Sequence, residues 1–337
     1  MNSLEKMGVV ALVVIVFLLF ASYFLAMLLG PALFFLTPVS LDFSLGVFFL
    51  LAWSLFILCF LASWQLRESL HHVVSKAFSR PFNRLFNNWL FAMPVVASTL
   101  LFVVSLIIAV QDLGGVPTGG LPAPKTDVEA FRLYLSLTYA PLIEEIGFRI
   151  FPIGIFLAAH LLVTQTELGT TSQSFFQRLK LFLVSFLYPD KAKQMVEGVK
   201  NVAANGVLDG ISKSEWIMLL FTSLVFGAAH IVSGAGWEFV KITSTFVQGF
   251  VFGLVYLAYG VQASILLHWF FNYYFYSFQL AAHYLSSGFD FFVWIELLTL
   301  RLGLVFLVVF AYFGVKRMLS RKSVSSEPTA AVAPESP

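Results

Sequence analysis

Only one cysteine, Cys59, occurs in 337 residues, and charge is scarce as well, with 20 Lys and Arg against 18 Asp and Glu. A lone cysteine excludes an intrachain disulfide framework and any Cys-based metal site. It lies in an apolar segment far from a His partner, and no Gly-x-Ser-x-Gly turn occurs, so neither a Cys nor a Ser nucleophile motif is present. Charged residues make up 11% of the chain and hydrophobic ones 59%, whereas soluble domains carry about 25% and 45–50%. That balance excludes a soluble domain and predicts an all-α, polytopic membrane protein. The net charge of +2 says little by itself; membrane lipid is an expected partner and nucleic acid is not.

Apolar runs predict about eight transmembrane helices, near 8–29, 45–62, 89–110, 131–163, 215–232, 237–259, 261–285 and 291–315. The first is too long for a signal-peptide core and reads as a retained helix. Between the second and third, segment 64–88 sets Leu66, Leu70, Val73, Ala77 and Phe78 at helical spacing, with polar residues on other faces. It reads as one amphipathic, interfacial helix ending at Pro81. His71 and His72 are adjacent, point apart on such a helix, and make no metal pair. Segment 111–127 is a Gly- and Pro-rich loop.

A polar insertion, 164–214, interrupts the second half. Its 175–188 stretch is apolar but too short to span, and reads as interfacial; 189–214 reads as a charged, partly helical surface segment. The expected division is then 1–130 (three transmembrane helices with the interfacial helix near 64–88), 131–290 (a catalytic membrane core carrying the cytoplasmic insertion), 291–322 (the last helix and its basic flank) and 323–337 (a disordered tail). Fifteen of the twenty Lys and Arg lie in the N-terminus, 64–88, 164–214 and the C-terminal flank. The positive-inside rule therefore sets both termini in the cytoplasm, for a protein of the cell membrane, or of the endoplasmic reticulum in a eukaryote.

One apolar run is not apolar throughout: it carries Glu144, Glu145 and Arg149 within six residues, between Pro141 and Pro152. Each charge near a helix centre costs roughly 2.5–3.5 kcal/mol, so such groups are rare and usually functional. On a helix Glu145 and Arg149 share a face in the order that favours an ion pair. Glu144 lies about 100° around and is left available as a general base. A structural ion pair or a proton path is the competing reading.

Further along, Phe226 and His230 are four apart around the small Gly227-Ala228-Ala229, and His268 and Asn272 are likewise four apart. His160 and His283 read as ordinary interhelical hydrogen bonders, and Glu296 with Arg301 as a structural pair. Peptide hydrolysis needs a base to activate water and donors aimed at the oxyanion. Glu144 fits the base, His230 a partner for the same water, and His268 with Asn272 the two donors, while Glu145 and Arg149 hold the kinked helix in shape. Glu144, His230 and His268 would equally make an N/N/O set for a divalent metal such as zinc, and spacing does not separate the two chemistries.

Glu144-Glu145-x-x-x-Arg149, Phe226-x-x-x-His230 and His268-x-x-x-Asn272, in that order on membrane helices, resemble the CAAX protease and bacteriocin-processing (CPBP, or Abi) family. Its best-known members are CAAX prenyl endopeptidases of the Ras-converting type. The likeness covers about 131–285. It implies an eight-helix intramembrane endopeptidase with a cavity open to cytoplasm and lipid, acting on a peptide or lipidated (CaaX-like) protein. It also implies Glu144 with His230 as the water-activating pair and His268 with Asn272 as oxyanion donors. The eighty residues between Arg149 and His230 are more than the family leads one to expect, which leaves the substrate open. The other classes to weigh are a proton-coupled transporter, against which the lack of an internal repeat counts, and a non-catalytic membrane scaffold.

Overall fold

The computed structural model describes residues 3–36, 43–80, 82–119, 124–167, 174–198, 201–233, 236–284 and 289–325. Long apolar helices open the chain: α1 (Ser3–Leu36) and α2 (Phe43–Gln65). The short α3 (Leu70–Ser75) and a 3-10 turn (Phe82–Asn87) lead into α4 (Trp89–Leu113). Next, α5 (Asp127–Glu145) runs without a break into a wide π turn (Ile146–Gly154) and α6 (Ile155–Glu167). The insertion folds as α7 (Phe175–Leu187), α8 (Pro189–Glu197), α9 (Val202–Asn205) and α10 (Val207–Gly210). Four long helices close the chain: α11 (Lys213–Val232), α12 (Lys241–Tyr259), α13 (Val261–Tyr284) and α14 (Phe289–Ser325).

Among the described residues, seven helical stretches are long and apolar enough to cross a membrane, and the chain is a polytopic all-α membrane protein. The eighth long helix, α13, spans 24 residues but is too polar to count among them. Its position explains its composition. Gln262, Ser264, His268 and Ser277 are buried inside the bundle, where protein rather than lipid meets them. Tyr23 of α1 packs tilted against Phe270 at 4.3 Å, and Phe56 of α2 lies flat on Trp269 at 3.6 Å. The first helices thus do more than add to the helix count: they clamp the helix that carries His268.

A polar seam joins α13 to α5 on another side. Running down α13 toward its start, Tyr276 donates to the carbonyl of Ala130 and Tyr273 bonds Thr138. Asn272 then donates to the carbonyl of Leu137, and His268 and Ser264 both reach Glu145. The two helices run antiparallel and are matched turn by turn. Gly260, at φ 96, ends α12 and lets α13 begin at the next residue. On the far side α11 and α12 approach closely over glycines. A Cβ on Gly249 would lie 2.9 Å from the Phe226 ring, and one on Gly227 3.1 Å from the carbonyl of Ile242.

Several expectations are corrected. Segment 64–88 is not one amphipathic helix ending at Pro81. Arg67 takes a left-handed φ of 67, and buried Asn88 donates to the carbonyls of Ser63, Trp64 and Glu68, so the chain is folded back on itself. Residues 189–214 are helical in part, as expected, but are not simply a surface: Lys193 and Glu215 form a buried ion pair at 2.7 Å, and Asp190 accepts from the backbone of Val202 and Ala203. No ion pair joins Glu296 and Arg301 among the described residues. Ser323–Ser325 continue α14, and the rest of the expected tail, like the side chain of His283, lies outside the described residues.

Candidate active site

Two prolines shape the helix that carries the acidic motif. Pro141 sits inside α5 and Pro152 inside the π turn that follows Glu145. Proline has no N–H to give to the carbonyl four residues back, and single π turns of this kind often occur at functional sites. The widened turn carries Arg149 inward, where it is 1% exposed.

Glu145 is fully buried and held from three directions. Its Oε1 lies 3.1 Å from Arg149 Nη1 and accepts from His268 Nδ1 at 2.8 Å, while Oε2 accepts from the Ser264 hydroxyl. A carboxylate so occupied is an anchor, not a base. Arg149 gains more than an ion pair from this arrangement: its guanidinium lies 4.2 Å over the ring of Phe226 and 5.4 Å over that of Phe252.

His268 lies between the two acids. With Nδ1–H given to Glu145, Nε2 faces Glu144 Oε2 at 3.5 Å. That is longer than a direct hydrogen bond and close enough for strong electrostatic contact. The Glu144 side chain keeps 28% of its surface exposed, in contrast to the sealed Glu145. Glu144, about 100° around the helix from Glu145, also faces α13.

His230, half-buried on α11, has Nδ1 2.9 Å from the carbonyl of Phe226. A carbonyl only accepts, so the proton sits on Nδ1, and the neutral ring presents the Nε2 lone pair. His230 is within electrostatic reach of both Glu144 and His268. Phe226, 1% exposed, packs its ring edge-on to His230 at 4.7 Å and to His268 at 6.0 Å, and the Arg149 guanidinium lies over the same ring. Asn272, one turn beyond His268, sets its Nδ2 3.3 Å from the carbonyl of Leu137. One of its two donors is therefore already engaged by the backbone of α5.

The metal reading fits these residues poorly. Both rings keep Nε2 uncommitted, so the imidazoles alone do not decide it, but among the described residues no group of three or more His, Cys, Asp and Glu is arranged to hold an ion. No step below runs through a metal. Sequence reasoning passed over Ser264, Phe252 and Gly249. Ser264 was within reach, since it precedes His268 by one helical turn; the other two carry no local signal.

A membrane bundle in which carboxylates and imidazoles meet around one partly open carboxylate has the parts of an intramembrane hydrolase. The family model described as type II CAAX prenyl endopeptidase Rce1-like matches residues 126–274, a stretch that contains every side chain of the site. The likeness to the Rce1-like family is confined to that stretch, and it supports an endopeptidase of the CAAX-processing type in what is an integral membrane protein. No curated protein and no solved structure matches the chain.

Proposed function

We propose that the protein cleaves a peptide bond of a membrane-associated, lipid-bearing peptide at the cytoplasmic face, with Glu144 as the base that activates water. The observation that carries this is the setting of His268, gripped through Nδ1 by Glu145 at 2.8 Å and facing the half-open Glu144 through Nε2 at 3.5 Å. Only one of the two acids is free to take a proton.

In this scheme water attacks the scissile carbonyl carbon while its proton passes to Glu144, and His230 accepts the second O–H of that water at Nε2. Negative charge develops on the carbonyl oxygen. His268, donating through Nε2–H as an imidazolium, and the second N–H of Asn272 receive it. The C–N bond then breaks as the carbonyl re-forms, Glu144 returns the proton to the leaving nitrogen, and a carboxylic acid and an amine are released. Glu145 keeps the imidazole turned for this role and does not itself exchange the proton. The low dielectric around buried Phe226 and Phe252 strengthens each of these interactions.

The test uses the full chain in lipid nanodiscs, with a fluorogenic prenylated peptide ending in a CaaX sequence and the same peptide without its lipid. Cleavage of the lipidated peptide only, lost in Glu144→Gln, is the expected result. Unchanged cleavage by Glu144→Gln overturns the assignment of the base, and equal cleavage of both peptides overturns the substrate class.

A further inference from the structure

We propose that Pro141 is a positioning residue of this site, because it withholds an N–H from the carbonyl of Leu137 and so leaves that oxygen to hold the amide of Asn272. The catalytic half of this inference rests on the endopeptidase reading above. In an α-helix the carbonyl of residue 137 accepts from the N–H of residue 141. Residue 141 is proline, inside α5, and has none. Within a bilayer a carbonyl short of a donor must find one from a neighbouring helix. The side chain that arrives is Asn272, with Nδ2 3.3 Å from the Leu137 oxygen.

The contact has a consequence for chemistry. An amide side chain presents two donors at one end and an acceptor at the other, and nothing in the side chain alone decides which end faces the substrate. A carbonyl partner decides it, because only the NH2 end can face an oxygen. One N–H goes to Leu137 and the other is held in a fixed direction beside His268. The neighbouring bonds of the seam, Tyr273 to Thr138 and Tyr276 to Ala130, keep the two helices in the register this requires. Pro141 thus lies three residues before Glu144 on the base-bearing helix and sets a donor on the opposite one. Asn272 is only part-buried, as a group that meets substrate must be.

The experiment is a mutant cycle on the full chain in nanodiscs, read by kcat, KM and thermal midpoint. Pro141→Ala returns an N–H to the Leu137 carbonyl. It is expected to lower kcat roughly tenfold to a hundredfold at nearly constant KM, without lowering the thermal midpoint. Asn272→Ala is expected to lower kcat about a hundredfold or more and to lower the midpoint. The double variant should be no slower than Asn272→Ala alone, and in the Pro141→Ala background the loss of midpoint from Asn272→Ala should vanish. Additive losses in kcat, or an unchanged kcat in Pro141→Ala, overturn the proposal. Pro141→Leu restores the same N–H and replaces Pro141→Ala if the latter does not fold. If the parent protein cleaves no lipidated peptide, the endopeptidase reading fails, and the thermal arm still decides whether Pro141 and Asn272 are coupled.

Discussion

His268 donates from Nδ1 to Oε1 of Glu145 at 2.8 Å, across the seam between α13 and α5. That bond divides the labour between two adjacent acids. Glu145 is spent on Arg149, His268 and Ser264, and the remaining carboxylate, Glu144, stays on a side chain that is partly exposed. Adjacent residues on a helix point in different directions, so one pair of glutamates serves two unlike purposes.

Exchanging each acid for its amide should therefore give opposite results. Glu144→Gln is expected to abolish cleavage and leave the thermal midpoint in detergent nearly unchanged. Glu145→Gln leaves Arg149 buried without its counter-charge, a change that typically costs about 3–5 kcal/mol. Thermal unfolding of the two variants side by side checks this; a larger stability loss in Glu144→Gln would reverse the assignments.

The structural and orienting roles of Glu145 can be separated. Removing both charges, in Glu145→Leu with Arg149→Met, takes away the unpaired charge along with the ion pair, and buried pairs replaced by apolar residues often leave stability unharmed. The double variant should recover most of the midpoint lost in Glu145→Gln. Cleavage should stay at least tenfold down, because His268 has lost the acceptor that fixes its ring. Recovery of both stability and activity would mean that Glu145 matters to the fold alone.

The membrane spans were legible because a bilayer imposes one simple demand, long apolar runs, which a sequence displays directly. Even the polar α13 could be placed, through its length and flanks. The motif residues were legible as charges and imidazoles out of place, and the Glu145–Arg149 pairing followed from helical spacing alone. Other features had no such signature. Asn272 was expected to share the two oxyanion donors with His268, and nothing in the residue order shows that the Leu137 carbonyl engages its amide. Segment 64–88 has helical spacing, yet the tertiary grip of Asn88 on three carbonyls overrides it. The Lys193–Glu215 pair joins residues 22 apart and is invisible to any local pattern.

That pair ties the insertion to the start of the helix carrying His230. Lys193 Nζ reaches both oxygens of Glu215, which also caps α11 by accepting from the Ser212 backbone. Lys193→Met should cost about 3–5 kcal/mol by leaving Glu215 buried and unpaired. Adding Glu215→Gln, which keeps an acceptor for the cap, should return part of that loss. Chemical denaturation of the single and double variants measures the coupling, and purely additive effects would show that the contact contributes nothing.

A close approach of α11 and α12 supplies the remaining test. A Cβ on Gly249 would stand 2.9 Å from the Phe226 ring and 3.3 Å from the Ser223 Cα. The second contact is backbone and cannot yield, so the Phe226 ring must shift. Phe226 lies against His230, His268 and Arg149 together, and its displacement moves groups on three elements at once. Gly249→Ala should cost about 1–3 kcal/mol of stability, as overpacking usually does. It should also lower kcat by tenfold or more, although residue 249 itself touches no substrate. Gly46→Ala, at a glycine with open space around its Cβ, is the matched control and should leave both unchanged. Equal behaviour of the two variants would show that the α11–α12 spacing does not set the geometry of the imidazoles.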